Sequence, residues 1–479
     1  MSCPFRFSRI VIIPALLSLS AAQADELRST LQDQQSVAVT IYNESLALVK
    51  DQRKIQLDSG QNTLAFRDVS AQMRPETALL RSLSAPGRLT LLEQNFDFDL
   101  LTPQKLLDKY VGKTVSVIRT NPATGAETTE SAQVLAASNG VVMKIGDRIE
   151  TGLPGRIVYP DVPANLRDRP TLVMSLNNAG APQQEVELSY LTGGLGWKAD
   201  YVAELNAAED RLDLSGWVTL TNTSGATYRN AKLQLVAGDV NRVREEIRPM
   251  RAMAKMDMAV AAAPAMAEES LLEYHLYTLQ RPTTIAENQT KQVALLSAAG
   301  VPARKELLLQ GADYYYQSSV GDLGQKIKVG AFIEFDNNEA SRLGLPLPKG
   351  VMRVYKKDTA GNAQFVGEDR IDHTPKNEKV RLKLGDAFDV IADKKQTDFK
   401  KLPNPAKGTA AFESAYEITL KNAKKEAVTV TVQEPIPGDW KMLKASHPHD
   451  KVTSNTAVWK ITVPAEGKAV LNYRVQVKY

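Results

Sequence analysis

Three groups of residues in the sequence could carry chemistry, and the first is acidic. Asp97 and Asp99 alternate with Phe96 and Phe98, and Glu93 precedes them. Paired carboxylates near aromatic rings can act as acid and nucleophile in glycoside hydrolysis. An ordinary extended segment has the same alternation, with both carboxylates on one face and both rings on the other. The pattern therefore favours a strand and leaves catalysis by Asp97 and Asp99 as an alternative.

The second group contains two imidazoles. His447 and His449 are two residues apart, with Asp450 directly after them. On a strand, both rings would point to one face, where zinc or copper could use them. Pro448 indicates a loop instead, and no further ligand can be identified. We therefore interpret these residues as solvated turn residues and expect no metal or other cofactor.

The third group is the run of aromatic residues Tyr314, Tyr315 and Tyr316. Aromatic side chains at a loop can stack on sugars or anchor a protein partner. Side chains of an extended segment alternate, so at least one of the three rings should face away from the other two. The sequence thus predicts a binding surface at these tyrosines, and an ordinary edge strand is the alternative.

Charge narrows the range of partners. The chain has 59 Lys and Arg against 55 Asp and Glu, a formal net charge of +4. This charge is too balanced to suggest a nucleic-acid partner, and we expect none. The lysines between Lys394 and Lys425 form a basic patch, which is either a solvated face or a surface for a polyanionic envelope polymer.

The N-terminus predicts export. Arg6 and Arg9 precede an apolar run over 10–19, and Ala24 ends a small-residue cleavage site. The run is shorter than the ~20 residues that span a bilayer, so we expect a signal peptide cleaved after Ala24 and a periplasmic or secreted protein. The only cysteine, Cys3, lies in the removed part. The mature chain should therefore have no disulfide and no transmembrane segment.

Period-two patterning predicts the fold class. Between 212 and 221, apolar residues and Gly216 alternate with polar residues and Trp217, and three successive antiparallel strands are expected from 198 to 237. We predict a mainly β protein with several β-sandwich or small-barrel domains in series. One short helix is expected near 103–110, because Thr102 and Pro103 are favourable starting residues.

The predicted domains follow the signal peptide, 1–24. They are a β-meander domain (25–100), a small barrel or curled five-stranded sheet (101–166), a central β-sandwich (167–320) and a C-terminal immunoglobulin-like sandwich (321–479). A Met- and Ala-rich stretch over 250–269, interrupted by Pro264, is expected to be a mobile insertion.

Several segments resemble a known family. They are YLTGGLGWKADYVAELN, GWVTLTNTSGATYRNAKLQLVAGDVNRV, EYHLYTLQRPTTIAENQTKQVALL and GLPLPKGVMRVYKKD. The chain resembles bacterial exported proteins with the "domain of unknown function 4139", and LEQNFDFDLLTPQKLLDKYVGKTVSVIRTNPATG is similar to their N-terminal part. Its C-terminal part is more distantly similar to mucoidy-inhibitor-type proteins. The resemblance implies no agreed activity and no catalytic residues.

Two functions remain open. The first is a non-enzymatic β-protein of the cell envelope that binds a protein or polysaccharide. The alternative is an envelope glycan or peptide hydrolase with a paired-carboxylate site. The first is favoured because no catalytic triad, metal quartet or nucleotide loop is visible. The oligomeric state is left open.

Overall fold

The computed structural model describes residues 26–43, 45–138, 140–152, 155–163, 166–238, 241, 266–403 and 410–479. Over these residues the protein is mainly β, as predicted. The chain forms two compact units, Met1–Ser36 with Lys50–Tyr190 and Val37–Val49 with Leu191–Tyr479. Within the described part, no helix is long and apolar enough to cross a membrane. The finer four-domain division stays a prediction.

The strands up to residue 192 belong to the first unit or begin or end in it. They are β1 (Leu27–Ser29), β2 (Gln34–Tyr42), β3 (Leu46–Gln56), β4 (Gly60–Arg67), β5 (Leu79–Ser82), β6 (Leu89–Asp97), β7 (Thr114–Thr120), β8 (Glu127–Ala136), β9 (Val142–Ile145), β10 (Arg148–Thr151), β11 (Arg156–Val158), β12 (Thr171–Asn178) and β13 (Gln183–Thr192). A 3₁₀ helix covers Pro75–Thr77, and the α-helix α1 covers Pro103–Lys109.

The first unit contains two sheets, with the strand orders β1-β4-β12-β6 and β10-β9-β8-β7-β11. The second is an open five-stranded sheet, so of the two predicted alternatives for 101–166 the closed barrel does not form. Leu107 and Tyr110 pack into the same core as Val117 and Met143 of this sheet. The predicted helix is confirmed, and the Thr102 hydroxyl caps it by accepting from the Lys105 backbone N–H.

The strands of the second unit from residue 195 onward are β14 (Leu195–Leu205), β15 (Arg211–Asn222), β16 (Tyr228–Ala237), β17 (Met266–Leu271), β18 (Tyr274–Leu279), β19 (Thr283–Ile285), β20 (Gln289–Gln310), β21 (Asp322–Asp336), β22 (Gly350–Lys357), β23 (Ala363–Ile371), β24 (Lys379–Leu402), β25 (Ala411–Asn422), β26 (Val428–Pro435), β27 (Asp439–Ala445), β28 (Asp450–Thr453), β29 (Thr456–Val463) and β30 (Lys468–Lys478). Two 3₁₀ helices cover Asp313–Tyr316 and Glu339–Ser341.

The alternation predicted for β15 is confirmed. Leu212, Leu214, Val218 and Leu220 are buried, whereas Trp217 stands on the exposed face. β14 and β15 pair in antiparallel fashion, but the prediction that β16 continues the same sheet is wrong. β16 instead pairs with β2 in parallel and with β18 and β19. A strand's own pattern shows which face it buries but does not select its hydrogen-bonding neighbour.

The last third of the chain forms a two-layered β-sandwich. β21-β24-β25-β30-β27 run side by side, and β26 pairs with β20 and β29. Residues of both layers enclose one core, which includes Ile418 and Leu471 on one side and Val430 and Trp459 on the other. This core surrounds the buried ion pair of Lys394 and Glu434.

The predicted insertion over 250–269 requires a correction at its end. Residues 250–265 lie outside the described residues. Met266–Leu271 form β17, which pairs with β18 in antiparallel fashion. The last four residues of the predicted loop therefore belong to a sheet, because tertiary pairing provides the hydrogen-bond partners that local composition does not indicate.

Candidate functional site

The three tyrosines lie in a 3₁₀ helix, not in an extended segment. This helix, Asp313–Tyr316, belongs to the connection between β20 and β21, which pair in antiparallel fashion and therefore require the chain to reverse. Three residues per turn point the rings in three directions. Tyr314 is 60% exposed, Tyr315 is half-buried and Tyr316 is fully buried. Tyr316 is thus a core residue, and the predicted surface narrows to Tyr314 and Tyr315.

We call residues 311–320 the tyrosine turn. A buried ion pair lies beneath this turn. The Lys394 Nζ is 2.6 and 2.7 Å from the two carboxylate oxygens of Glu434, and both side chains are inaccessible to solvent. The Tyr316 hydroxyl donates to Glu434 Oε2 at 2.8 Å and lies 3.0 Å from the Tyr473 hydroxyl. A Cβ at Gly311 would lie 2.3 Å from Glu434 Oε2, so only glycine fits there.

Burial shifts the protonation of this cluster in two directions. It lowers the pKa of Lys394, which the carboxylate of Glu434 opposes by favouring the charged amine. It raises the pKa of Tyr315 and Tyr416 to about 12 and that of Tyr316 well above its usual value. At neutral pH the tyrosines are therefore uncharged, and their hydroxyls are available as hydrogen-bond donors. With both charges enclosed, the cluster stabilises the tyrosine turn and offers no reactive group to solvent.

Further hydrogen bonds immobilise the turn. The Tyr416 hydroxyl donates to the carbonyl of Tyr315 at 2.5 Å. Gln396 accepts from the backbone N–H of Val320 at 2.8 Å and donates to the carbonyl of Ser318 at 3.1 Å. The rings of Tyr314 and Tyr315 lie 4.8 Å apart and cross at 69°. The exposed ring of Tyr314 therefore stands on a segment that is already ordered before any partner arrives.

The acidic candidates are engaged in ion pairs. Asp97 accepts from Arg167 Nε at 2.9 Å. Asp99 lies 3.0 Å from Lys105 Nζ and 3.2 Å from Lys109 Nζ, and hydrogen bonds to these two lysines lower the pKa of its carboxyl. A general acid needs a raised pKa, so this environment opposes that role. The two carboxylates satisfy nearby cations of the first unit.

The two histidine candidates contact different residues. The His447 ring Nδ1 is 2.9 Å from the Ser446 hydroxyl, whereas the His449 ring lies 5.7 Å from that of Trp459. Asp450 begins β28 with its side chain exposed. In the part of the chain that is described, no group of three or more His, Cys, Asp or Glu is arranged to hold a metal ion.

The two charged residues of this cluster were not predicted correctly from the sequence. Lys394 is buried, so it does not belong to the basic patch predicted from 394 to 425. Sequence reasoning also missed Glu434, although a signal exists. Val430, Val432 and Glu434 alternate on the core-facing side of β26, and a carboxylate at such a position requires a buried partner.

Comparison with known proteins gives one family. The family described as a domain of unknown function (DUF4139) matches residues 186–479. This range contains the tyrosine turn, Lys394 and Glu434. No curated protein matches the chain.

Proposed function

The chain belongs to the family of the domain of unknown function DUF4139, and on this premise we propose that it is a non-enzymatic binding protein of the bacterial cell envelope. Its proposed contact surface is the tyrosine turn. Export, cleavage after Ala24, the distant relation to mucoidy-inhibitor-type proteins and the division at 100, 166 and 320 belong to the same proposal. The N-terminal pattern in the sequence supports the export step.

One observation carries the binding role, namely the exposed Tyr314 ring on an immobilised turn. An aromatic ring that is exposed to water gains no hydrophobic free energy, and a partner that covers the ring provides this gain on binding. Because Tyr316, Tyr416 and Gln396 already hold the turn, binding costs little conformational entropy. Rigid aromatic anchors of this kind are typical interface hot spots.

The geometry favours an envelope protein over a polysaccharide as the partner at this turn. The rings of Tyr314 and Tyr315 cross at 69°, so together they form no single flat platform for a sugar ring. A pocket on a protein can enclose one projecting ring from several sides. The hydrolase alternative is less well supported, because basic side chains neutralise both Asp97 and Asp99.

The test is site-specific crosslinking. A photoreactive phenylalanine analogue replaces Tyr314 in one variant and the 95% exposed Phe388 in a control, and each variant is irradiated with a bacterial envelope extract. We expect a discrete crosslinked protein from position 314 only. Once the crosslink has identified this partner, the immobilised unmodified protein should retain it and immobilised Tyr314→Ala should not, at an unchanged melting temperature, and retention by Tyr314→Ala contradicts the proposal.

The same envelope extract tests the hydrolase alternative. Asp97→Asn and Asp99→Asn should leave partner capture intact. If either substitution abolishes turnover of an envelope glycan or peptide that the unmodified protein hydrolyses, the function is hydrolytic and the binding proposal is wrong.

A further inference from the structure

The second unit has a polar, solvent-facing sheet surface centred on Trp217. It consists of the outward side chains of β23, β22, β14, β15 and β20, and we call it the Trp217 face. Trp217 lies opposite Asp200 of β14 and Ala294 of β20. Asp200 in turn lies opposite Val351 of β22, and Val351 opposite Arg370 of β23. These residues form one continuous row across five strands.

Trp217 differs from the other three tryptophans of the chain. It is 40% exposed, whereas Trp197, Trp440 and Trp459 are buried. Its neighbour Ala294 is exposed and offers only a methyl group, so one side of the indole remains open. Most of a sheet's solvent-facing positions hold small or polar residues, and an indole in the middle of such a face is a ready surface for a flat, partly apolar ligand.

Hydrogen-bonding side chains lie on the same and the neighbouring strands as Trp217. Arg353 Nη1 donates to Asp200 Oδ1 at 3.1 Å, and the Thr219 hydroxyl donates to Asp200 Oδ2 at 2.7 Å. Gln292 Nε2 donates to the Thr219 hydroxyl at 3.1 Å, and the Gln292 side chain is exposed. The face therefore presents the half-buried guanidinium of Arg353 and the exposed amide of Gln292 on the strands around Trp217, while the buried Asp200 carboxylate and Thr219 hydroxyl hold them in place.

The charges on this face compensate one another. Arg353 bridges Asp200 and Glu368, with Nε 3.2 Å from the Glu368 carboxylate. Lys198 Nζ is 3.9 Å from Asp200. These ion pairs and that of Lys357 with Glu204 neutralise most charges of the face, and the exposed Arg370 adds one positive charge, which is too small an excess to select a polyanion or a polycation. The ligand that fits this surface is neutral.

A second aromatic pair extends the face. Tyr355 lies opposite Glu204, and the rings of Tyr355 and Phe365 are 5.6 Å apart, with Phe365 56% exposed. Phe365 is four residues along the sheet and three strands across from Trp217, a separation of about 20 Å from ordinary strand dimensions. Paired polar side chains, Arg353 and Glu368 among them, lie between the two aromatic groups.

We propose that the Trp217 face binds a neutral oligosaccharide, with Trp217 and Phe365 as two stacking positions. The apolar C–H face of a sugar ring is weakly positive and complements the negative face of an indole. Sugar hydroxyls both donate and accept, which matches the N–H donors of Arg353 and the amide donor and acceptor of Gln292. A protein partner is a poorer match, because the cores of protein interfaces are depleted of charged residues. This site is independent of the tyrosine turn.

Tryptophan fluorescence provides the assay. Trp217 is the exposed tryptophan, so acrylamide quenching reports mainly on it. The probes are glucose, cellotetraose, chitotetraose and maltotetraose, with dextran sulfate as the anionic comparison and concentrations up to about 10 mM to cover weak binding. At least one neutral tetrasaccharide should protect Trp217 from acrylamide. Trp217→Phe should lose the quenchable component at an unchanged melting temperature.

Calorimetry with the same tetrasaccharide separates the contributions. Trp217→Ala should weaken binding about tenfold or more, and Phe365→Ala about fivefold for the tetrasaccharide but not for glucose. Phe388→Ala, which removes another exposed ring, and Tyr314→Ala should both bind like the unmodified protein. The proposal is overturned if no neutral oligosaccharide protects Trp217, if only dextran sulfate does, or if Trp217→Ala binds with unchanged affinity.

Discussion

Replacing Glu434 by glutamine tests the role assigned to the buried ion pair. The substitution keeps the size of the side chain and an acceptor for the Tyr316 hydroxyl, but it removes the charge that Lys394 faces. Breaking a buried pair from one side typically costs about 3–5 kcal/mol. The centroids of the Tyr315 and Tyr416 rings lie 4.1 and 5.3 Å from Lys394 Nζ. In the variant these rings still stabilise the charged amine, which reduces the loss by about 1 kcal/mol. We therefore expect a loss of about 2–4 kcal/mol in the free energy of unfolding.

The assay is urea unfolding followed by tryptophan fluorescence, since Trp440 and Trp459 belong to the same core. Lys394→Met should also destabilise, because it leaves the Glu434 carboxylate buried and unpaired. The double variant Lys394→Met/Glu434→Gln should lose less than the sum of the two single variants, since it buries no uncompensated charge. The unmodified protein and Phe388→Ala, at an exposed position, are the references.

The free energy of unfolding of Glu434→Gln should also depend on pH in a defined direction. Burial lowers the pKa of Lys394, and removal of the carboxylate should lower it further. Between this lowered value and its ordinary value, the unfolded state binds more protons than the folded state, so stability rises with pH. The deficit of Glu434→Gln should therefore shrink between pH 7 and about pH 9.5 by at most ~1.4 kcal/mol per pH unit. A deficit under about 1 kcal/mol at pH 7, or a double variant worse than the sum, refutes the reasoning.

Three further outcomes are expected. Gly311→Ala should destabilise the last sandwich by about 1–3 kcal/mol in the same urea assay, because a Cβ would lie 2.3 Å from the enclosed Glu434 carboxylate, and an unchanged midpoint would contradict that contact. Burial raises the pKa of Tyr416 to about 12, so its contribution is present below its ordinary value of 10.0 and is lost as pH rises from 10 to 12. Between pH 10 and 12, Tyr416→Phe should lose about 2–3 kcal/mol less free energy of unfolding than the unmodified protein. At pH 7 it should be about 1 kcal/mol less stable, because the hydrogen bond to Tyr315 is lost. An alkaline profile identical to that of the unmodified protein would contradict the assignment. The exported protein should have the mass of a chain cleaved after Ala24, and retention of the preceding residues in that mass would reject the predicted cleavage.

Local pattern was sufficient wherever a residue's environment depends on its nearest neighbours in the chain. The alternation in β15 predicted which side chains enter the core, and Thr102 with Pro103 predicted the start of α1. Both follow from strand geometry and helix capping, which act over a few residues. The same reasoning placed Trp217 on the outer face before its neighbours were known.

Only the tertiary structure decided which distant side chains meet. Lys394 and Glu434 are 40 residues apart and belong to different layers, so nothing local distinguishes Lys394 from the solvated lysines that follow it. The pairing of β16 with β2, and the grouping of Asp200 and Arg353 beside Trp217, depend likewise on strand neighbours selected by the whole fold. Alternation states which face of a strand is buried, whereas the partner across that face is set by long-range packing, and that partner determines whether a charged or aromatic residue is core, ion pair or binding surface.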